Sequence, residues 1–302
     1  MPRRGPGRLH GYLVIDKPTG WTSHDVVGRV RRLTGERKVG HAGTLDPAAT
    51  GVLPVALGLA TRSLEFLAGS SKTYLAEITF GVRTDSYDID GIVQSVGTTE
   101  GIDETLLRRS LSNFCGIQQQ IPPMHSAIQI DGRRLYELAR EGSVIERSPR
   151  AIEIHEIELI EWNPPVVTVC IDCSKGTYIR SIAHDLGEIF DCGAYLSNLV
   201  RLRAGPFTIA DAWTLQELAE LELVNDWESV AVHPDAALEG LAGLVLGEDE
   251  TKDWSFGRSI RADDDSPEWT RVYDEHGVWL GIGQNDGALQ QWRPYKVVGE
   301  AA

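Results

Sequence analysis

Lys38-Val-Gly40-His41-Ala-Gly43-Thr-Leu-Asp46-Pro47-Ala-Ala-Thr-Gly51-Val-Leu-Pro54-Val-Ala-Leu57 is the segment on which the reading of the chain turns. Glycine and proline crowd its first part and an apolar run closes it, so it reads as a shaped loop feeding a buried element. Pro47 pushes Asp46 toward extended backbone, and Gly43 and Gly51 let the chain bend on either side, so a tight loop can present the carboxylate. That suits a nucleophile. A local alternative has Asp46 capping a helix that begins at Pro47, although Gly51 and Pro54 would end such a helix after about one turn. His41, between Gly40 and Gly43, reads as a general base, a metal ligand or a polar wedge. No second His or Cys lies at ligand spacing from it, which argues against the metal.

Outward from this loop the pattern is α+β. Upstream, 10–16 reads as a short strand, and the Lys17-Pro-Thr-Gly20 turn puts Asp16 and Lys17 on a loop. Thr22 or Ser23 caps a helix with the stripe Val26, Val27, Val30 and Leu33, which ends near Gly35 and shows Arg29, Arg31 and Arg32 on its flanks. Downstream, Tyr74, Ala76, Ile78 and Phe80 alternate with polar residues, as in a strand with one buried face. A polar turn follows at 84–91, then a helix at 104–114. Pro122-Pro123 leads to a strand-turn-helix around Asp131-Gly132, and the stretch of about 92–150 reads as an insertion. Strands are expected at 152–160 and 166–172. Thr177 would cap a helix burying Ile179, Ile182, Ala183 and Leu186, and 215–223 reads as another helix. From Pro234 short apolar runs among Gly, Asp and Trp suggest a small β-rich unit, so residues 1–233 and 234–302 form two domains.

The chain has 302 residues with 42% hydrophobic and 24% charged, ordinary for a soluble globular protein, and no apolar run long enough to cross a bilayer. No export signal is evident, and four cysteines are too few for a disulfide scaffold of this size, in keeping with a cytoplasmic location. A net charge of -15 argues against a nucleic-acid partner until its distribution is followed. Residues 1–210 hold 23 basic and 24 acidic side chains, while 211–302 hold 6 and 20. A basic surface is available near the start, where Arg3, Arg4, Arg8, Lys17, Arg29, Arg31, Arg32, Arg37 and Lys38 meet few acids.

Other residue types narrow the chemistry. Arg180, in the first turn of its helix, opposes the helix dipole and wants a carboxylate, which a buried Asp46, or Asp185 or Glu188 at the surface, would supply. Tyr74 and Tyr178 offer rings on which a base can stack. Cys170 and Cys173, three apart on a strand, point to opposite faces and make a poor metal site. Asp85, Asp88 and Asp90 before Gly91 lack the terminal Glu of a calcium loop and read as a solvated turn.

Several motifs in one order then carry a resemblance. Gly11 to Ser23, Lys38 to Pro54, Lys72-Thr-Tyr-Leu-Ala76, Thr84 to Gly91, Pro122-Pro, Ser126-Ala, Lys175-Gly-Thr-Tyr-Ile-Arg-Ser181 and Ala194 to Phe207 together resemble the TruB family of tRNA pseudouridine synthases. The resemblance implies a pseudouridine synthase fold, a central, largely antiparallel mixed sheet flanked by helices and loops, with a small PUA-like domain at the C-terminus. It implies an isomerase for the T-arm uridine at position fifty-five of tRNA, with no metal, no cofactor and no obligatory protein partner. By analogy Asp46 is the catalytic carboxylate, Arg180 its ion-pair partner and Tyr74 the ring against a flipped base. Tyr178 and Leu199 are further pocket walls, His41 fills the space left by extruded nucleotides, and Lys17 belongs to the substrate loop. One carboxylate serves either by attack at C1′ or through an elimination that passes by a glycal. His125, Gln129 and Val200-Arg201 depart from the family pattern, where an aromatic residue, a Lys and an Arg pair are expected. A tRNA-folding or RNA-binding protein without essential catalysis is the rival reading, and an N-glycosidase that releases uracil a third.

Overall fold

The structure, a computed structural model, describes residues 9–298 except 127, 131, 144 and 222. Arg3, Arg4 and Arg8 of the basic start and Asp131 of the expected turn lie outside the described residues.

β1 (Gly11–Lys17) leads into α1 (Ser23–Thr34). The helix ends are set locally: the Thr22 hydroxyl accepts from the Asp25 amide, the Asp25 carboxylate accepts from the Thr22 amide, and Gly35 stops the helix at φ 69°. Two strands, β2 (Val39–His41) and β3 (Thr50–Leu57), flank the Asp46 loop. Pro47 and Ala48 bend the chain there, the Ala49 amide donates to Asp46 O at 3.1 Å and no helix starts at Pro47, so the capping alternative is gone. Then follow α2 (Leu64–Ala68), β4 (Lys72–Phe80), the hairpin of β5 (Val82–Thr84) and β6 (Val93–Val96) that carries the 84–91 loop, α3 (Glu104–Ser112) and β7 (Gly116–Gln120). A small excursion, β8 (Gln129–Ile130), β9 (Arg133–Arg134) and α4 (Leu135–Arg140), precedes β10 (Arg150–Asn163), β11 (Val166–Cys173), α5 (Ile179–Ile189), β12 (Ala194–Ala204), β13 (Phe207–Thr208), α6 (Leu215–Glu220) and α7 (Leu223–Val230).

The main sheet runs β1-β3-β12-β4-β11-β10-β7, with β2 against β3 and β13 against β12. Among the described strands of this sheet only β12 and β3 pair in parallel, so the sheet is mixed and largely antiparallel, as expected. On one face α3 and α5 pack against β4, β10, β11 and β12 through Leu107, Leu111, Ile179, Ile182, Ala183 and Leu186. Elsewhere α1, α6 and α7 bury Val26, Val27, Val30, Leu218 and Val230 against β1 and β3.

Four local expectations need correction. Lys17 is the last residue of β1 and not a loop residue, because β1 stays registered with β3 through Lys17 opposite Gly51. Tyr178, not Thr177, is the N-cap of α5, and the Thr177 hydroxyl donates to Ser174 O at 3.1 Å instead. The expected 215–223 helix stops at Glu220 and a second helix follows. The stretch 92–150 is not an insertion throughout: α3 belongs to the main core and β7 is an edge strand of the main sheet, while Met124, Leu135 and Leu138 form the separate small core of the excursion.

The C-terminal unit is β-rich, as its spacing suggested. β14 (Ala242–Leu246), α8 (Glu248–Ser255), β15 (Ile260–Arg261), β16 (Trp269–Asp274), β17 (Trp279–Asp286) and β18 (Gln291–Val297) make a sheet ordered β14-β16-β17-β18-β15. Trp254 of α8 fills its core and donates from Nε1 to Leu280 O at 3.1 Å. The unit meets α2 through Phe66 edge-on to Trp269 at 5.2 Å, and the Tyr295 hydroxyl donates to Glu65 at 2.8 Å.

Candidate active site

The loop between β2 and β3 is held from below by a buried arginine. Arg201, 1% exposed, donates from Nε to Val52 O at 2.6 Å and from Nη2 to Gly43 O at 3.0 Å, and shares a side-chain hydrogen bond with Tyr74. The backbone passes so close that Gly51 sits at φ 92° and a Cβ there would lie 2.3 Å from Arg201 O. Only glycine fits. Lys17 holds the loop from its other side. It is fully buried and donates to Pro18 O at 3.0 Å, Trp21 O at 2.6 Å and Pro47 O at 3.1 Å. All three of its protons are used on carbonyls, so its expected place at the substrate is corrected: Lys17 is a brace. Burial brings its ammonium down to about 8.

Above these braces lies a pocket of about 300 Å³ lined by Asp46, Tyr74, Tyr178, Arg180, Leu199 and Arg201, among others. Five of the seven expected site residues therefore meet in one place. Tyr74 and Leu199 come from β4 and β12, and Tyr178 and Arg180 from the start of α5. Gln120 pins the backbone of Tyr178 from both sides, accepting from its amide at 2.8 Å and donating to its carbonyl at 3.0 Å. His41 stands beside this pocket, in a wider cleft that also holds His24, His125, Gln129, Arg134 and Tyr136. Its Nδ1 is buried with no hydrogen-bond partner among the described residues, and burial with the nearby Arg201 holds the imidazole below its ordinary pKa, hence neutral.

Arg180 joins two carboxylates. Its Nη2 lies 3.0 Å from Asp46 Oδ2 and its Nη1 3.0 Å from Asp88 Oδ2, while His125 O and Ser86 O accept its other protons at 3.0 and 3.3 Å. The guanidinium is 6% exposed and Asp88 14%, so this arm is buried; Asp46 keeps 45% exposure through the pocket mouth. Even so, the protein around Asp46 raises its carboxyl above the ordinary value; Arg180 pulls it down and Asp88 pushes it up again. A carboxylate with a shared counter-ion is a stronger base and nucleophile than one wholly neutralised by its own. Neither Asp185 nor Glu188 takes Arg180, and Glu188 pairs with Arg83 instead.

Asp88 was missed, having been read as part of a solvated turn. In place, Tyr87 adopts φ 67° and stacks on His184 at 3.9 Å, which turns Asp88 inward, where it also accepts from the Asp90 amide at 3.1 Å. The signal available in sequence was an acid-rich run ending at Gly91, whose Cβ would lie 2.3 Å from Ser86 Oγ. Arg201 was noticed only as half of a missing Arg pair. Among the described residues no group of His, Cys, Asp and Glu is arranged to hold a metal, and Cys170 and Cys173 fall on opposite faces of β11 as alternation predicts.

The fold and its relatives together define the class, a pseudouridine synthase. Superposition on a solved Cbf5-Nop10-Gar1 complex gives a TM-score of 0.75 at 23% identity, covering 99% of this chain and 90% of that one. A solved H/ACA ribonucleoprotein bound to a substrate RNA containing 2′-deoxyuridine gives 0.72 at 22%, over 95% and 84%. The model for the TruB family pseudouridylate synthase N-terminal domain matches residues 31–179. Those for the tRNA pseudouridylate synthase B C-terminal domain and the pseudouridine synthase II TruB C-terminal region match 180–239 and 242–292. The tRNA pseudouridine synthase B of Trichormus variabilis is 42% identical over 280 residues, 91% of this chain and 94% of its own. That of Symbiobacterium thermophilum is 51% identical over 214 residues, 70% and 72%. The chain belongs to the TruB family of tRNA pseudouridine synthases: it is an enzyme that isomerises uridine to pseudouridine in tRNA.

Proposed function

We propose that the target is the uridine at position fifty-five in the T-arm loop, extruded from its stack into the Tyr74–Tyr178–Leu199 pocket, and that Asp46 acts on its C1′. The observation that carries this reading is the Asp46 carboxylate lining an aromatic-walled pocket, oriented by Arg180 at 3.0 Å. A base buried in a stem-loop cannot reach such a carboxylate without leaving the stack, and unstacking exchanges one aromatic neighbour for another. Tyr74 receives the face of the base, while neutral His41, outside the pocket but beside Asp46, occupies the gap the nucleotide leaves. Arg180 keeps Asp46 ionised as water is displaced. No cofactor enters the scheme, and the proposed reaction runs in the cytoplasm.

Tritium release from tRNA labelled at uridine C5, with mapping of the modified position, tests it. The protein releases tritium from the T-arm uridine and Asp46→Asn does not. Modification at another uridine overturns the site preference, full turnover by Asp46→Asn overturns the nucleophile, and free uracil among the products points to glycosidase chemistry.

A further inference from the structure

The pocket that receives the base is bounded at one end by two cations, Lys72 and Arg201, with no carboxylate at ion-pair distance among the described residues. Lys72 and Tyr74 are two apart on β4, and Leu199 and Arg201 two apart on β12, with Tyr74 opposite Arg201 in the register. Alternation therefore sends all four side chains to the face that carries the pocket, and all four line it. Lys72 is 7% exposed and Arg201 1%. Among the described residues neither has a carboxylate at ion-pair distance, in contrast to Arg180 with Asp46 and Asp88 and Arg203 with Asp172. Lys72 donates to Ala68 O and Ser70 O, which leaves its third proton uncommitted, and Arg201 reaches carbonyls and Tyr74. Of the groups that act most on Lys72, Arg201, Lys175 and Arg203 are cations and the Cys173 thiol pulls the other way, while the Arg203 charge is itself answered by Asp172. Two buried cations side by side without an anion are costly unless something negative arrives.

The reaction supplies it. When the N1–C1′ bond breaks, its electron pair stays on uracil, whose charge spreads over N1, O2 and O4. After the base turns, C5 forms the new bond to C1′, C5 loses its proton and N1 takes one up. We infer that Lys72, with Arg201 behind Tyr74, forms a cationic end of the base pocket that stabilises the departing uracil anion. This rests on the reading of the pocket as the uridine site. Placed before the charge develops, such donors act on the transition state more than on binding. It also accounts for the burial of the Lys72 ammonium, whose third proton no carbonyl takes, where an apolar residue would pack more simply.

The test compares the parent, Lys72→Met and Arg201→Lys under single-turnover conditions on full-length tRNA with either uridine or 5-fluorouridine at the target. Loss of the N-glycoside is followed, and tRNA affinity is measured over a salt series. Fluorine makes uracil a more stable anion that needs less help. Lys72→Met is expected to slow uridine conversion on the order of a hundredfold, to slow the fluorinated substrate much less, and to leave affinity and its salt slope in place. Because burial holds the Lys72 ammonium at about 8, the parent rate falls as pH rises through that range, and since the Lys17 brace is also held at about 8, Lys72→Met shows a shallower fall and not a flat profile. Arg201→Lys shows the same substrate bias to a smaller extent. Equal losses on both substrates mean that the variant is merely distorted, and overturn the inference. So does an unchanged rate, or a weakened affinity with a shallower salt slope and unchanged rate, which would make Lys72 a phosphate contact. Should the parent convert no uridine, or Asp46→Asn retain turnover, the pocket reading itself fails whatever Lys72 does.

Discussion

Replacing Arg180 by Met keeps the length of the side chain and removes the cation between two carboxylates. The Arg180–Asp88 arm is 6% and 14% exposed, and leaving a buried charge without its partner costs about 3–5 kcal/mol. The Asp46 arm adds little to stability, because its carboxylate is 45% exposed and solvent screens the pair. With a urea dependence on the order of 3 kcal/mol per molar, the unfolding midpoint of the catalytic domain falls by about 1–1.7 M. The loss depends on pH in a definite sense. Asp46 already stands above its ordinary pKa, and without the guanidinium it rises further. A carboxyl raised in the folded state favours folding below its unfolded pKa, and that advantage is lost as pH rises through the folded value. The small Asp46 share of the deficit is therefore full at neutral pH and shrinks in acid. Asp88→Asn in the Arg180→Met background removes the stranded charge and recovers about 2 kcal/mol, a coupling that equilibrium urea unfolding in a double-mutant cycle measures directly. If Arg180→Met leaves the midpoint within about 0.3 M of the parent, or if the two losses simply add, the guanidinium does not bridge these carboxylates.

Further outcomes follow from the same geometry. Single-turnover rates fall as pH drops through the raised pKa of Asp46, and in Asp88→Asn this acid limb moves to lower pH, since Asp88 is one of the groups holding it up; an unmoved limb would separate the two carboxylates. Gly51→Ala, with its Cβ 2.3 Å from Arg201 O at φ 92°, lowers stability by more than about 2 kcal/mol and slows turnover by shifting the Asp46 loop. A urea midpoint equal to the parent's argues against that contact. Lys17→Met leaves three carbonyls without a donor and costs about 1–3 kcal/mol, yet keeps the salt slope of tRNA affinity, whereas a Lys that met phosphate would make the slope shallower by about one.

Much of this protein is legible along the chain because its elements carry their own instructions. Thr22, Asp25 and Gly35 delimit α1 by bonds within a few residues, and the alternation of Tyr74, Ala76, Ile78 and Phe80 names the buried face of β4. The ordered motifs named the family, and with it five residues that prove to share one pocket. Three things lay beyond local reading. Asp88 looked solvated because nothing nearby in sequence binds it, and its partner stands 92 residues away on α5. Lys17 looked like a substrate contact because it belongs to the matched Lys-Pro-Thr-Gly loop of the family. It becomes a brace only when the 46–48 loop, 30 residues on, brings Pro47 O to its ammonium. Arg201 looked like a remnant of an RNA-binding pair until β12 aligned it with Tyr74 and Gly51. Local sequence settles hydrogen bonds that close within one turn and faces that repeat every second residue. Whether a charge is buried, shared or left without a counter-ion depends on groups that meet only when the sheet is assembled, and that was decided by the tertiary structure alone.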